Sequence, residues 1–358
     1  MKWKCIAAVV AAAASGAAVA QSALTIYGIA DAGLVREAGG AAGSISKVSS
    51  GVASASRLGF RGSEALGGGM AAIFTLESGI KLDTGELDSG NLFNRQAFVG
   101  IKSAAGTLTL GRQYTPYHAT LSSVADPFGG GMAGTSKNLF PDSGSNVRTS
   151  NTLMYAMPAT HGVTAELAYS AGEQVSSSAG RQLGAAIGYA AGKLTVRLAL
   201  NHKNSDIAAA PGVSAVKRSI GRNTLLAANY DFGLLKAYIA YGVDRGFNSA
   251  PLGNANNPYG GTRPSASLDG AELLLGVAAH VADGTLLFSL MGKDDKTAFN
   301  QDARAWGLGY LYPLSKRTTL YGAYARISNR NGAGYTVANN AEAGSGNSAL
   351  NLGVRHTF

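Results

Sequence analysis

Arginine is the side chain that cannot shed its charge near neutral pH, and four arginines of this sequence fall on the polar side of locally alternating segments. Around Arg57, the residues Ser56, Leu58 and Phe60 take one side, while Arg57 and Arg61 take the other. Glu77 opposes Phe74, Leu76 and Ser78. Arg95 alternates with Asn94 and Gln96, although Phe93, Val99 and Ile101 share its side and make this the least regular of the set. Arg148 shares a side with Ser150, away from Leu153 and Tyr155. Guanidinium groups gathered on one wall, with carboxylates such as Glu77, Asp126 or Asp142 across from them, would set up a transverse field and attract anions. The alternative is ordinary salt bridging within the wall.

Other chemistry finds little support. A single cysteine, Cys5, excludes a disulfide scaffold and any paired-cysteine metal or redox site. The histidines (His118, His161, His202, His280 and His356) are scattered without metal-ligand spacing, so no metal and no cofactor is expected. Gly129-x-Gly131-x-x-Gly134 matches a dinucleotide fingerprint, but it follows no strand and opens no helix. There is no HExxH, P-loop or GxSxG, and no Ser/His or Asp/His pair stands out, so no catalytic residues are assigned. The formal charge is +9, yet the basic residues are dispersed rather than striped, which argues against nucleic acid as a partner.

The elements that must carry these charges repeat with period 2. Leu350, Leu352, Val354, His356 and Phe358 share one face of the last segment, and Asn351, Gly353, Arg355 and Thr357 the other. Similar alternation recurs near residues 24–36, 52–62, 69–81, 91–103, 106–113, 148–157, 161–171 and 180–191. It continues near 192–204, 219–232, 233–245, 267–282, 283–294, 300–313, 315–328 and 347–358. These are about 16 segments, each long enough to cross a bilayer when tilted. Short turns such as Ala191-Gly192 and Asp283-Gly284 alternate with long connections at 36–51, 114–147, 203–218, 245–266 and 329–346. Short turns at one rim and long loops at the other predict an all-β, 16-stranded antiparallel transmembrane β-barrel. A soluble sandwich would have strands of only about 5–6 residues. Its apolar faces would also not end on aromatics, as these do at Tyr230, Phe232, Tyr310, Tyr312 and Phe358. Charged residues are only 14% of the chain, as expected where half of each strand faces lipid. A barrel of this strand number is too wide for side chains to fill, so its bore holds water.

Two segments stand apart. Residues 1–20 combine Lys2 and Lys4 with a short apolar run ending Ala18-Val19-Ala20, which predicts a cleaved export signal and a mature barrel domain of residues 21–358. Residues 114–147 form the longest connection and contain Asp126-Pro127-Phe128 and Asn138-Leu139-Phe140-Pro141-Asp142. Loops of this length are usually functional or disordered, and the aromatics and prolines argue against disorder. The expectation is that it folds inward as a constriction loop and buries Phe128 and Phe140 on the wall.

The residues also carry a family resemblance. The stretch Gln21-Ser22-Ala23-Leu24-Thr25-Ile26-Tyr27-Gly28-Ile29-Ala30-Asp31 resembles the opening of the β-proteobacterial trimeric porins of Burkholderia, Neisseria and Comamonas type. So do Ser56-Arg57-Leu58-Gly59-Phe60-Arg61-Gly62-Ser63-Glu64, Leu110-Gly111-Arg112-Gln113 and the end Gly353-Val354-Arg355-His356-Thr357-Phe358. The resemblance implies an outer-membrane homotrimer, each barrel with its own pore for small hydrophilic solutes, and a third external loop folded in as the eyelet. In relatives that prefer anions, arginines of the second, fourth and sixth strands and a glutamate of the third line that eyelet. By motif these fall on Arg57, Arg95, Arg148 and Glu77. The sequence departs from some relatives at Gln96, where they carry a second basic residue, so a modest anion preference is expected. The outer-membrane assembly machinery would read the last strand ending in Phe358.

Overall fold

The alternating segments all lie in one antiparallel sheet that closes on itself, as a lipid-spanning sheet must, because each open-edge amide in hydrocarbon costs several kcal/mol. The computed structural model describes residues 23–175, 177–261 and 264–358. The export signal expected at 1–20 lies outside the described residues. The first half of the sheet comprises β1 (Ala23–Gly40), β2 (Gly43–Ser50), β3 (Arg57–Gly67), β4 (Met70–Gly79), β5 (Gln96–Ser103), β6 (Gly106–Tyr114), β7 (Arg148–Ala156), β8 (Val163–Ser170) and β9 (Gln182–Ala191). The second comprises β10 (Leu194–Lys203), β11 (Gly221–Asp231), β12 (Leu235–Ala250), β13 (Ser267–Val281), β14 (Gly284–Asp295), β15 (Ala303–Pro313), β16 (Thr318–Asn329) and β17 (Ser348–Thr357). From β3 onward each pairs with the next, and β17 returns to β1. Both β2 and β3 pair with β1, one after the other, so they are two halves of one barrel strand and the barrel has sixteen.

Along each strand the side chains sort as the alternation requires. Leu350, Leu352 and Val354 stand exposed on the outer face, while Ala349 and Asn351 are buried inside. Trp306, Leu308 and Tyr312 face out, and Ala303 and Ala305 face in. At the seam, Gly28 and Phe358 exchange two backbone hydrogen bonds of 3.1 Å each. A β-carbon on Gly28 would lie 2.3 Å from the Phe358 ring and 2.6 Å from the Arg57 carbonyl oxygen. Gly28→Val is therefore expected to cost about 1–3 kcal/mol by overpacking. The folded band on a gel should convert to the unfolded band at a lower temperature, and an unchanged conversion temperature would dismiss the contact.

Two departures from the alternation are informative. The connection expected at 36–51 is mostly strand, because β1 continues to Gly40 and β2 starts at Gly43. This extension shows no clean apolar face, since above the bilayer both sides of a hairpin meet water. Conversely, the strand expected over 52–62 begins only at Arg57, and residues 51–56 leave the sheet.

Between β6 and β7, residues 115–147 turn into the barrel through a short helix, α1 (Pro116–Thr120), and a wider turn over Leu121–Ala125. Tyr117, Leu121, Val124, Phe128, Leu139 and Phe140 are buried against small inward residues such as Ala199, Ala227, Ala240 and Ala325. Glycines on the wall make the closest seats. A β-carbon on Gly309 would lie 2.7 Å from the Phe128 ring, and one on Gly307 2.4 Å from the Gly134 Cα. Burying side chains of this size contributes about 1.5–3 kcal/mol each, so the loop is packed as a core and not laid on the wall.

Candidate functional site: arginines at the loop-narrowed waist

The two faces of β3 and β4 bring the first charged pair together. Arg57 opens β3, with its Nε donating to the Ala55 carbonyl at 2.9 Å and its Nη1 3.7 Å from Glu77 Oε1. Glu77, on the inner face of β4, is 2% exposed. Its Oε1 accepts from Arg95 Nε at 2.8 Å, and its Oε2 accepts from the Tyr27 hydroxyl at 3.0 Å. Arg95 is 4% exposed and precedes β5, which starts at Gln96. The irregular parity noted around Arg95 thus reflects a residue outside the strand, free to turn inward. Its Nη2 donates to the Tyr114 hydroxyl at 2.5 Å. Arg148, the first residue of β7, also donates to that hydroxyl, at 3.3 Å, and its guanidinium carbon sits 4.7 Å from the Tyr114 ring centre. One buried carboxylate and one phenol therefore hold three guanidinium groups, a cation–π contact adding to the last.

The loop supplies the facing side. The Tyr114 ring stacks on His118 of α1 with centres 4.9 Å apart. His118 Nδ1 lies 2.7 Å from Asp142 Oδ1. Burial acts to raise the Asp142 carboxyl, but His118, Lys137 and Arg148 outweigh it and hold the group below the usual carboxylate range. Lys137 Nζ donates to the Asn340 carbonyl at 2.7 Å. The space between is a cavity of about 610 Å³, lined among the described residues by Arg57, Lys81, Arg95, Lys137 and Arg148 against Asp83, Asp88 and Glu342. Cations outnumber carboxylates there.

Two expected members sit elsewhere. Asp126 is 3% exposed and turned into the loop itself. Its carboxylate accepts from the amides of Phe128 (2.8 Å), Gly130 (2.9 Å) and Ser136 (2.8 Å) and from the Thr135 hydroxyl (3.2 Å). It organises the loop tip and does not face the arginines. Arg61 lies four residues further along β3, its guanidinium 5.2 Å from the Tyr27 ring centre. The opposed row of Glu77, Asp126 and Asp142 is accordingly corrected: Glu77 belongs to the arginine wall, and the other two are bonded within the loop. Tyr114, His118 and Lys137 were not singled out from sequence. Tyr114 directly follows the Leu110–Gln113 motif, but a register shift between Gly111 and Gln113 removes any parity argument for it. No period places His118 or Lys137.

A family profile described as Gram-negative porin matches residues 7–332, most of the chain. The chain belongs to the Gram-negative porin family. This porin is 30% identical over its whole length, and the whole of the relative, to an outer membrane porin protein of Bordetella pertussis. It is 31% identical to outer membrane porin protein 32 of Delftia acidovorans over 97% of each chain. Among solved structures it is similar to the anion-selective porin from Comamonas acidovorans, with a TM-score of 0.74 and 28% identity over 94% of this chain and 100% of that one. The porin is an outer-membrane channel and not an enzyme.

The porin's buried Glu77 yields a sharp expectation. Glu77→Gln leaves Arg57 and Arg95 without their buried counter-charge, which costs about 3–5 kcal/mol in such pairs. Guanidinium titration of the folded barrel should show a lower midpoint, and an unmoved midpoint would mean that water already compensates the two arginines.

Proposed function

We propose that this porin passes small hydrophilic solutes passively, down their own gradients, with a modest anion preference set by Arg57, Arg95 and Arg148 where residues 114–147 narrow the bore. The observation that carries this reading is the chain of contacts that gathers the three guanidinium groups at the wall of the shared cavity: Arg57 and Arg95 on buried Glu77, and Arg95 and Arg148 on the Tyr114 hydroxyl. Fixed cations in a narrow, low-dielectric passage raise the local concentration of anions. Arg61 stands below this ring and contributes at longer range. The similarity to an anion-selective porin supports the same sign. The reading includes a homotrimer embedded in outer-membrane lipid, a cleaved signal at 1–20, and recognition of the Phe358-terminated strand by the assembly machinery.

Liposome swelling tests it with anionic, neutral and cationic organic solutes of matched size. Rates should fall in that order. Equal rates, or faster entry of the cation, would remove the arginine wall from the account.

A further inference from the structure

The detour at residues 51–56 is built into the barrel by an aspartate that the arginine wall does not use. Ala32 of β1 faces Ser50, but Ile29 faces Arg57, so three steps along β1 are matched by seven along its partner. The surplus chain folds into the bore, and Gly51, Ser54, Ala55 and Ser56 line the same cavity as the arginines. Asp31 fills the gap that it leaves. This residue has 0% exposure, faces inward, and spends its carboxylate on the detour. Oδ2 accepts from the Ser54 amide at 2.9 Å, while Oδ1 accepts from the Ala53 amide at 3.3 Å and from the Tyr321 hydroxyl of β16 at 2.7 Å. Its own carbonyl accepts from the Gly51 amide at 2.7 Å and from the Ser56 hydroxyl at 2.9 Å.

The detour in turn touches each wall of the waist. The Val52 carbonyl accepts from the Met132 amide of the loop tip at 2.8 Å and from the Asn340 amide at 3.2 Å. Asn340 Oδ1 accepts from the Ala55 amide, and its Nδ2 donates to the Gly130 carbonyl at 3.0 Å. A β-carbon on Gly131 would lie 1.9 Å from the Ala53 carbonyl oxygen, so the loop tip is pressed directly onto the detour. The Ala55 carbonyl accepts the Nε hydrogen of Arg57.

We propose that Asp31 is a positioning residue for the waist: by pinning residues 51–56 across the bore, it fixes both the loop tip and the Arg57 guanidinium, and so sets the size limit of the pore. Nearly all the detour is Gly, Ala or Ser, which lets two backbones approach but supplies little packing of its own. A buried carboxylate with several donors is then what holds it. Removing the carboxylate leaves two amides and the Tyr321 hydroxyl without acceptors, and the segment relaxes away from the loop.

The inference rests on the reading of the waist given above, but the two fail separately. Loss of the arginines alters ion preference with little change in solute size limit, whereas loss of Asp31 alters the size limit first. Asp31→Ala is tested as folded, heat-modifiable protein in planar bilayers and in liposomes with a series of neutral sugars. Single-channel conductance is expected to rise about 1.5-fold, with larger sugars admitted and the anion preference reduced by about half. Asn340→Ala, outside the strands, loosens the same detour at a different point, the Ala55 amide and the Gly130 carbonyl of the loop tip, and should give a smaller change of the same sign. If Asp31→Ala lowers only the unfolding midpoint while conductance and sugar cut-off stay at the parent values, Asp31 is a fold residue and the proposal is wrong. If Asp31→Ala does not fold, an unchanged cut-off in Asn340→Ala overturns it instead.

Discussion

Replacing Arg57, Arg95 and Arg148 together by glutamine should abolish the anion preference and carry the channel over to the cation side. The three charges are fixed, because guanidinium does not deprotonate at accessible pH. At about 8 Å, with an effective dielectric of about 30, one unit charge shifts the energy of a passing ion by about 1.4 kcal/mol. Salt at 0.1 M screens over about 10 Å, so the three together are expected to change the anion-to-cation permeability ratio by about tenfold rather than by the product of three such factors. The sign reverses because Glu77 stays in the wall with no partner left among these arginines. The measurement is the zero-current potential under a salt gradient, with the sugar cut-off followed in parallel. A ratio within twofold of the parent would take the arginines out of the selective region.

The second large effect is structural in origin and electrical in readout. Asp126→Ala removes the acceptor of three backbone amides and a hydroxyl inside the loop. Each orphaned buried donor costs about 1–3 kcal/mol, so the tip is expected to lose about 3 kcal/mol or more and to unfold locally while the barrel persists. Phe128 and Gly131 then leave their seats on Gly309 and Ala53, and the waist opens. Conductance should rise about twofold, with sugars excluded by the parent now entering. Asp126→Asn keeps the shape but sets an amide group against the donors, and it should fall between the two. Unchanged conductance in both variants would mean that the loop is held by its hydrophobic contacts alone.

What the sequence revealed follows from where the environment is uniform. Within the bilayer, lipid on one side and water on the other force the alternation, so the strands were legible from Leu350, Leu352 and Val354 and their counterparts. Above the bilayer both faces are wet, and the β1–β2 extension carried no such mark. The positions of Arg57 and Glu77 were readable from parity because each belongs to a regular strand, whereas Arg148 lies beyond the register shift between β6 and β7 that breaks its alternation with Leu153 and Tyr155. Arg95 showed only an irregular parity, since it precedes its strand, and the family motif supported it. Asp126 was misplaced for a different reason. A charge in a loop has no periodic frame, and its partners are amides that the sequence does not distinguish. The same holds for Asp31, whose partner segment looked like ordinary strand until the register with β1 showed four surplus residues.

The most direct test of the account is the zero-current potential of the unmodified porin in a planar bilayer with a tenfold potassium chloride gradient. A stable open conductance is expected, with a zero-current potential of the sign set by chloride, at several-fold preference over potassium. A potential of the opposite sign, from a channel verified as folded and inserted, would contradict it.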